Sequence, residues 1–331
     1  MPAGEDGTQA GGNEAPAAGS LPRRVVPARA RIASIRTKGR IMGDSRPIGV
    51  FDSGLGGLTV ARCIATGLPG ESIVYFGDTK RCPYGTRTEG EVRSFALQVA
   101  RWLEEYDVKI IVIACNTATA AALRTLQQML PVPVIGVIEP GARAAINSTR
   151  TRRVGVLATS LTVRNGAYTR AIQNRDAGVD VYSCPASSFV ELVERELATG
   201  AHLQERWLEN GDVFDTPQIR AHVAATIEPL RLGDVDTVVL GCTHFPLLVG
   251  PIRAALGEGV RVVSSAEETT RELQDILARR EQLAPEGTAP RHRFATTSDN
   301  IAEFAAAGSF VFGQPLKSIE HVGVEELERL S

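Results

Sequence analysis

Several signatures are missing from this 331-residue chain, and each absence removes a class of function. No apolar run reaches the roughly 18 residues needed to span a bilayer. The N-terminus lacks the apolar core of a secretory signal. Cytoplasmic residence is the default expectation, with no membrane partner. The five cysteines (Cys63, Cys82, Cys115, Cys184 and Cys242) include no Cys-x-x-Cys pair, so neither a zinc site nor a dithiol redox motif is indicated. Their odd number favours free thiols over a disulfide framework. A formal net charge of −2 supplies no global attraction for nucleic acid or acidic lipid. Aromatics make up only 5%, but 43% of residues are hydrophobic, enough for one large core or two modest ones. Two lobes are expected.

A nucleotide cradle is also missing. The glycine-rich loop Asp52-Ser53-Gly54-Leu55-Gly56-Gly57-Leu58 has Thr59 where the dinucleotide fingerprint needs its third glycine, and no Gly-Lys-Ser/Thr follows. Asp52 at the strand exit would repel phosphate. The loop suits a small ligand with an ammonium group, its glycines permitting close backbone approach. A tight turn with Asp52 as its cap is the alternative. No metal-ligand cluster and no recognisable pyridoxal-lysine site is found, so no cofactor is expected.

The chain divides into a head and a compact remainder. Residues 1–46 begin as low-complexity Gly, Ala, Pro and Glu and turn basic through Arg23, Arg24, Arg29, Arg31, Arg36, Lys38 and Arg40. Little there can form a core, and a solvated extension upstream of a start at Met42 is expected. A basic arm for an anionic partner is the other reading.

From Pro47 onward strands and helices alternate as in βα units with parallel sheets. Strands are predicted at 48–51, 72–76, 109–114, 153–158, 179–182 and 237–241, with helices from about Leu58, 89–105, 118–128, 216–229 and 267–280. The order strand, loop, strand, strand with Cys-x-Thr in the first half recurs in the second, a weak internal duplication. The expected architecture is α/β: two pseudo-symmetric lobes, each a mostly parallel sheet flanked by helices, with the active site in the cleft between them. Residues 47–142 plus about 252–322 are assigned to the first lobe and 143–251 to the second.

Two motifs, Ala114-Cys115-Asn116-Thr117 and Gly241-Cys242-Thr243-His244, each end a β-branched run just ahead of a predicted helix. Open α/β sheets place ligands there. A helix N-terminus favours an anion, and a thiol at that position is eased toward thiolate. Two such thiols facing one carbon can act as matched acid and base. Cys63 and Cys184, with no polar surroundings, are read as apolar fillers. Cys82, in a polar loop, is read as incidental.

Six ordered motifs carry a resemblance: Asp52–Val60, Pro83–Arg87 (Pro-Tyr-Gly-Thr-Arg), Ala114–Ala118, Gly136–Ala142 (Gly-Val-Ile-Glu-Pro-Gly-Ala), Gly155–Val163 and Leu240–Leu247. Over everything after Arg46 the chain closely resembles glutamate racemase, a cofactor-independent family within the aspartate/glutamate racemase superfamily. The resemblance implies interconversion of L- and D-glutamate, with Cys115 and Cys242 as thiolate base and thiol acid. Their implied assistants are Asp52 for Cys115 and His244 for Cys242. Substrate contacts are implied for Asp52, Ser53, Tyr84, Gly85, Asn116, Thr117, Thr159, Thr243 and His244. Glu194 matches a family glutamate near the second cysteine, and a solvated helix face is its alternative. The family role is supply of D-glutamate for peptidoglycan. Oligomeric state is left open, a homodimer included. Two other functions stand beside this one: a sister racemase acting on aspartate or hydantoins, and a binding protein that has lost catalysis. Retention of both cysteines, Asp52 and His244 argues against the last.

Overall fold

The structure is a computed structural model that describes residues 43–198, Leu203 and 213–330. The expected extension falls outside the described residues as far as position 42. Its last four residues do not belong to it: the Asp44 N–H donates to the Leu283 carbonyl (3.0 Å), and Lys109 Nζ donates to the Asp44 carbonyl (2.7 Å). The compact body thus starts before Pro47.

The first sheet has six strands, all paired in parallel: β1 (Ile48–Asp52), β2 (Ile73–Gly77), β3 (Ile110–Ile113), β4 (Val134–Gly136), β9 (Arg293–Thr296) and β10 (Ile319–His321). The second has four parallel strands: β5 (Arg153–Ala158), β6 (Asp180–Pro185), β7 (Thr237–Gly241) and β8 (Arg261–Ser264). Strand order is β10-β9-β2-β1-β3-β4 in the first and β6-β5-β7-β8 in the second. The order 2-1-3-4 therefore occurs twice, which gives the faint internal duplication a topological counterpart. In each sheet the order reverses between the first and third strands, where open α/β sheets bind ligands.

Strands β1, β2, β3 and β7 are buried along their whole length. This matches their largely apolar sequences, because a parallel sheet covered on both faces has no polar side. The covering helices of the first lobe include α1 (Leu58–Gly67), α2 (Glu89–Glu104) and α3 (Asn116–Met129). Helix α2 starts with a capping box in which Thr88 and Glu91 bond each other's backbone N–H. The second lobe carries α4 (Ile138–Ser148), α5 (Ser160–Asn165), α6 (Ala167–Gln173), α7 (Ser188–Leu197), α8 (Pro217–Leu232) and α9 (Val249–Leu256). Gly166, at φ +68°, makes the left-handed break between α5 and α6. Helices α10 (Ser265–Arg279), α11 (Ile301–Phe312) and α12 (Val324–Glu328) complete the chain. One buried cluster runs from Val50, Leu58 and Ile110 in the first lobe to Phe189, Leu240 and Phe245 in the second. Among the described residues no helix is long and apolar enough to cross a membrane.

The lobe boundaries differ from those expected. Helix α4 packs on α6, β7 and β8, so the chain enters the second lobe near Val137 and not at 143, in mid-helix. Strand β8 pairs with β7, so the return lies near Ser264 and not at 252. Helix α10 makes that return, packing on both α4 and α1, and α12 extends the first lobe past 322 by packing on α2.

Candidate active site

Cys115 and Cys242 leave β3 and β7, the equivalent strands of the two sheets. Both are buried, at 5% and 7% exposure. Cys115 is the N-cap of α3, its Sγ accepting the Ala118 N–H at 3.4 Å. The expected position at a helix N-terminus holds for this thiol, but the expected easing toward thiolate does not. Burial, and after it the Asp52 charge, raise the Cys115 thiol above its ordinary range, with the Ala118 N–H pulling the other way. Its hydroxyl neighbour is Ser53, Sγ to Oγ 3.8 Å. Cys242 differs from the expectation: a short 3-10 turn, Phe245–Leu248, precedes α9, so no long helix begins at the thiol. Its polar partner is the side chain of His244, Sγ to Nδ1 3.8 Å.

Asp52, fully buried, joins the two motifs. Oδ2 accepts the N–H groups of Gly54 (3.1 Å) and Gly57 (2.9 Å), so the capping of the loop by Asp52 is real. Oδ1 accepts the Thr243 hydroxyl across the cleft at 3.3 Å. Thr59 donates to the Thr243 carbonyl at 3.2 Å. The glycines are needed here: a Cβ on Gly56 would stand 2.5 Å from His244 Nδ1, and one on Gly57 only 2.3 Å from Asp52 Cβ. The carboxylate acts on Cys115 through its charge, while its bonds go to the loop and to Thr243.

His244 is 1% exposed, with Nε2 2.6 Å from Glu194 Oε1. Burial lowers its pKa, but the bonds to Cys242 and Glu194 outweigh burial and hold the imidazole well above the ordinary histidine range. Glu194, on α7, therefore belongs to the site and not to a solvated face.

The remaining expected residues gather around these groups. Thr117 of the first lobe and Thr159 of the second meet hydroxyl to hydroxyl at 2.9 Å, and Thr162 closes a triangle at 3.3 and 3.0 Å. Gly85 touches the same place, since a Cβ there would lie 2.8 Å from Thr159 Cβ. Tyr84 is buried in that wall with its hydroxyl turned to Asp78, which also takes Arg81 Nε (2.7 Å) and the Thr297 hydroxyl (3.0 Å). Asn116 is buried beside Cys115 and accepts the Tyr168 hydroxyl at 2.7 Å.

Two features lay beyond the sequence reading. The buried Asp78–Arg81 pair that braces Tyr84 has partners from distant segments, Gln98 and Thr297, that no local spacing reveals. Cys82, read as incidental, borders the site: a Cβ on Gly54 would lie 3.2 Å from both its Sγ and Glu194 Oε1. Burial, then the charges of Glu194 and Asp52, raise its thiol well above the ordinary range. Its place in Arg81-Cys82-Pro83-Tyr84, next to an expected wall residue, was the available signal. Cys184 is a core residue of β6, and Cys63 is half-buried on α1. Among the described residues no group of three or more His, Cys, Asp or Glu side chains could hold a metal ion.

Residues 48–273 match the family model described as Asp/Glu/Hydantoin racemase. The chain is 41% identical to a glutamate racemase of Bacillus cereus over 282 residues, 85% of this chain and 98% of that one. It is 47% identical to one of Lysinibacillus sphaericus over 251 residues, 76% and 89% of the two chains. Among solved structures, a glutamate racemase isoform from Bacillus anthracis matches with a TM-score of 0.75 at 41% identity, covering 84% of this chain and 97% of that one. The enzyme of Francisella tularensis, solved with D-glutamate, matches with a TM-score of 0.73 at 31% identity over 85% and 98% of the chains. The chain belongs to the Asp/Glu/Hydantoin racemase family, on its glutamate racemase branch.

Proposed function

We infer that the protein interconverts L- and D-glutamate without a cofactor, by a two-base mechanism in which Cys115 and Cys242 carry protons on opposite faces of the α-carbon. The observation that supports this best is the equivalent placement of two buried thiols, each leaving the corresponding strand of its sheet with a polar side chain beside it. Cys115 is held as a thiol by burial and Asp52. Cys242 stands beside the imidazole of His244, whose bonds to Cys242 and Glu194 hold it toward the protonated state. Removing the α-proton from one face and returning one to the other requires one group as base and one as acid, and the two thiols supply both roles. After turnover the protonation states are exchanged, and the reverse direction starts from the other thiol.

Substrate contacts are assigned on the same reading. The hydroxyls of Ser53, Thr117, Thr159 and Thr243 and the amide of Asn116 supply donors for two carboxylates, with Asn116 and Thr117 in the first turn of α3. Asp52 offers a counter-charge to the ammonium. Tyr84 and Gly85 wall the pocket. Exclusion of water strengthens every one of these contacts, and the low exposure of both thiols implies that substrate enters by parting of the lobes. D-glutamate made in this way is a building block for the peptide of peptidoglycan. Five free thiols suit a reducing, cytoplasmic setting.

The test is circular dichroism of L-glutamate and, separately, L-aspartate incubated with the protein. Decay of the glutamate signal to zero with aspartate unchanged is expected. A persistent glutamate signal would refute the assignment.

A further inference from the structure

Asn116 presents one satisfied and one unsatisfied end. Its side chain is buried, the residue being only 3% exposed, and its Oδ1 accepts the Tyr168 hydroxyl at 2.7 Å. Its Nδ2 is equally buried and has no hydrogen-bond partner. A buried amide N–H left alone is costly, so this donor is expected to have a use. It sits in the first turn of α3, next to Cys115.

We propose that Tyr168 is a positioning residue of the second lobe, fixing the Asn116 amide so that Nδ2 faces the site and donates to a substrate carboxylate. This deepens the racemase reading and rests on it. An amide is chemically two-ended, with Oδ1 only accepting and Nδ2 only donating. Turned by 180°, the same side chain would place an acceptor against the carboxylate and repel it. Shape does not distinguish the two orientations, so the choice falls to whatever bonds the far end.

Tyr168 makes that choice because its phenol is kept as a donor. It is 2% exposed on α6, and burial raises its pKa above the ordinary tyrosine range, so the proton stays on the oxygen throughout the working range. Ser265, itself buried at the start of α10, stands beside the same phenol. The Tyr168 proton is directed to Asn116 Oδ1, 2.7 Å away. Gly141 on α4 permits this approach: a Cβ there would lie 3.0 Å from the phenol oxygen and 3.2 Å from Ser265 Cβ. The bond also crosses between lobes, since α3 belongs to the first and α6 to the second. The donor is therefore correctly aimed only when the lobes are together.

Tyr168→Phe tests this, because it removes one oxygen and keeps the ring. KM for both glutamate enantiomers should rise about tenfold, with most of the loss in KM and not in kcat. Asn116→Ala should raise KM by at least as much. In the double variant the two losses should not add, because Tyr168 acts only through Asn116. Near-ultraviolet circular dichroism and thermal melting check that each variant is folded, and calorimetric titration with D-glutamate reads binding apart from turnover. Unchanged KM in folded Tyr168→Phe, or additive losses in the double variant, would overturn the proposal. If the wild-type protein neither binds nor turns over glutamate, the racemase reading fails instead, and that result is separate from the variant series.

Discussion

His244 Nε2 and Glu194 Oε1 stand 2.6 Å apart, with the opposite ring nitrogen of His244 toward Cys242. Carboxylate, imidazole and thiol form a line in which the outer charge raises the proton affinity of the ring. Glu194→Gln keeps the hydrogen bond and removes the charge. The imidazole then loses its proton at lower pH. Turnover at neutral pH should drop by roughly 10²-fold. In the direction that uses His244 in its protonated form, the alkaline limb of the pH–rate profile should move to lower pH. A profile of unchanged shape would show that Glu194 only packs against the ring.

The same line makes stability depend on pH. His244 binds its proton more tightly in the folded state than its ordinary value of 6.5. The resulting stabilisation is fully present below that value and is lost as pH rises through the higher folded value. The raised Cys115 thiol acts with the same sign, because above the ordinary thiol range the unfolded chain sheds a proton that the folded chain retains. Urea midpoints taken from about pH 6 to 9 should fall steadily, and His244→Asn should flatten the lower part of that slope. A flat wild-type profile would contradict the direction assigned to His244.

Substrate size should be read by the threonine triangle. Thr159 comes from the second lobe and bonds Thr117 of the first at 2.9 Å. On the proposed reading these hydroxyls hold the carboxylate farther from the α-carbon. A hydrogen bond to a charged group contributes about 1.5–3 kcal/mol, so Thr159→Ala should raise KM for glutamate roughly tenfold to a hundredfold. Steady-state kinetics in both directions checks this, and an effect confined to kcat would place Thr159 nearer the reacting carbon.

A buried ion pair anchors the start of the folded body. Lys109 Nζ is 2.5 Å from Glu71 Oε2, with side chains 0% and 3% exposed, and it also donates to the carbonyls of Asp44 and Gln282. Lys109→Met removes the cation beside Glu71, whose carboxylate then keeps only the Ala284 N–H, at an expected cost of about 3–5 kcal/mol. Lys109→Met with Glu71→Leu should recover much of that loss, because no lone charge remains. Urea unfolding of the three proteins measures it, and a double variant less stable than the single would contradict the explanation.

Much of this was legible in the sequence, for identifiable reasons. The strands leading to Cys115 and Cys242 are apolar runs rich in β-branched residues, which a doubly covered parallel sheet favours. Helix α4 was hidden because Pro140 and Gly141 stand in its first turns. Pro is compatible with a helix start, and Gly141 is required by the closeness of Tyr168 and Ser265. That concealed helix is why the lobe boundary was set too late. Strand β8 was assigned to the wrong sheet because sequence shows a strand's existence and not its partner. The pairs His244–Glu194 and Asn116–Tyr168 join residues about 50 apart on different elements, so spacing could not reveal them. Cys82 was passed over because a polar loop looks solvated until the opposing loop is placed against it.

The central claim, that two thiols work on opposite faces of one carbon, is tested most directly by the fate of the α-hydrogen in heavy water. Each glutamate enantiomer is incubated in D2O to low conversion, and α-deuterium is measured by NMR in both recovered substrate and product. Two separate bases predict product fully deuterated at the α-carbon and recovered substrate still protiated, in both directions, because the returning proton comes from a thiol already equilibrated with solvent. Deuterium appearing in recovered substrate as fast as in product, or product retaining the substrate's own proton, would contradict the account.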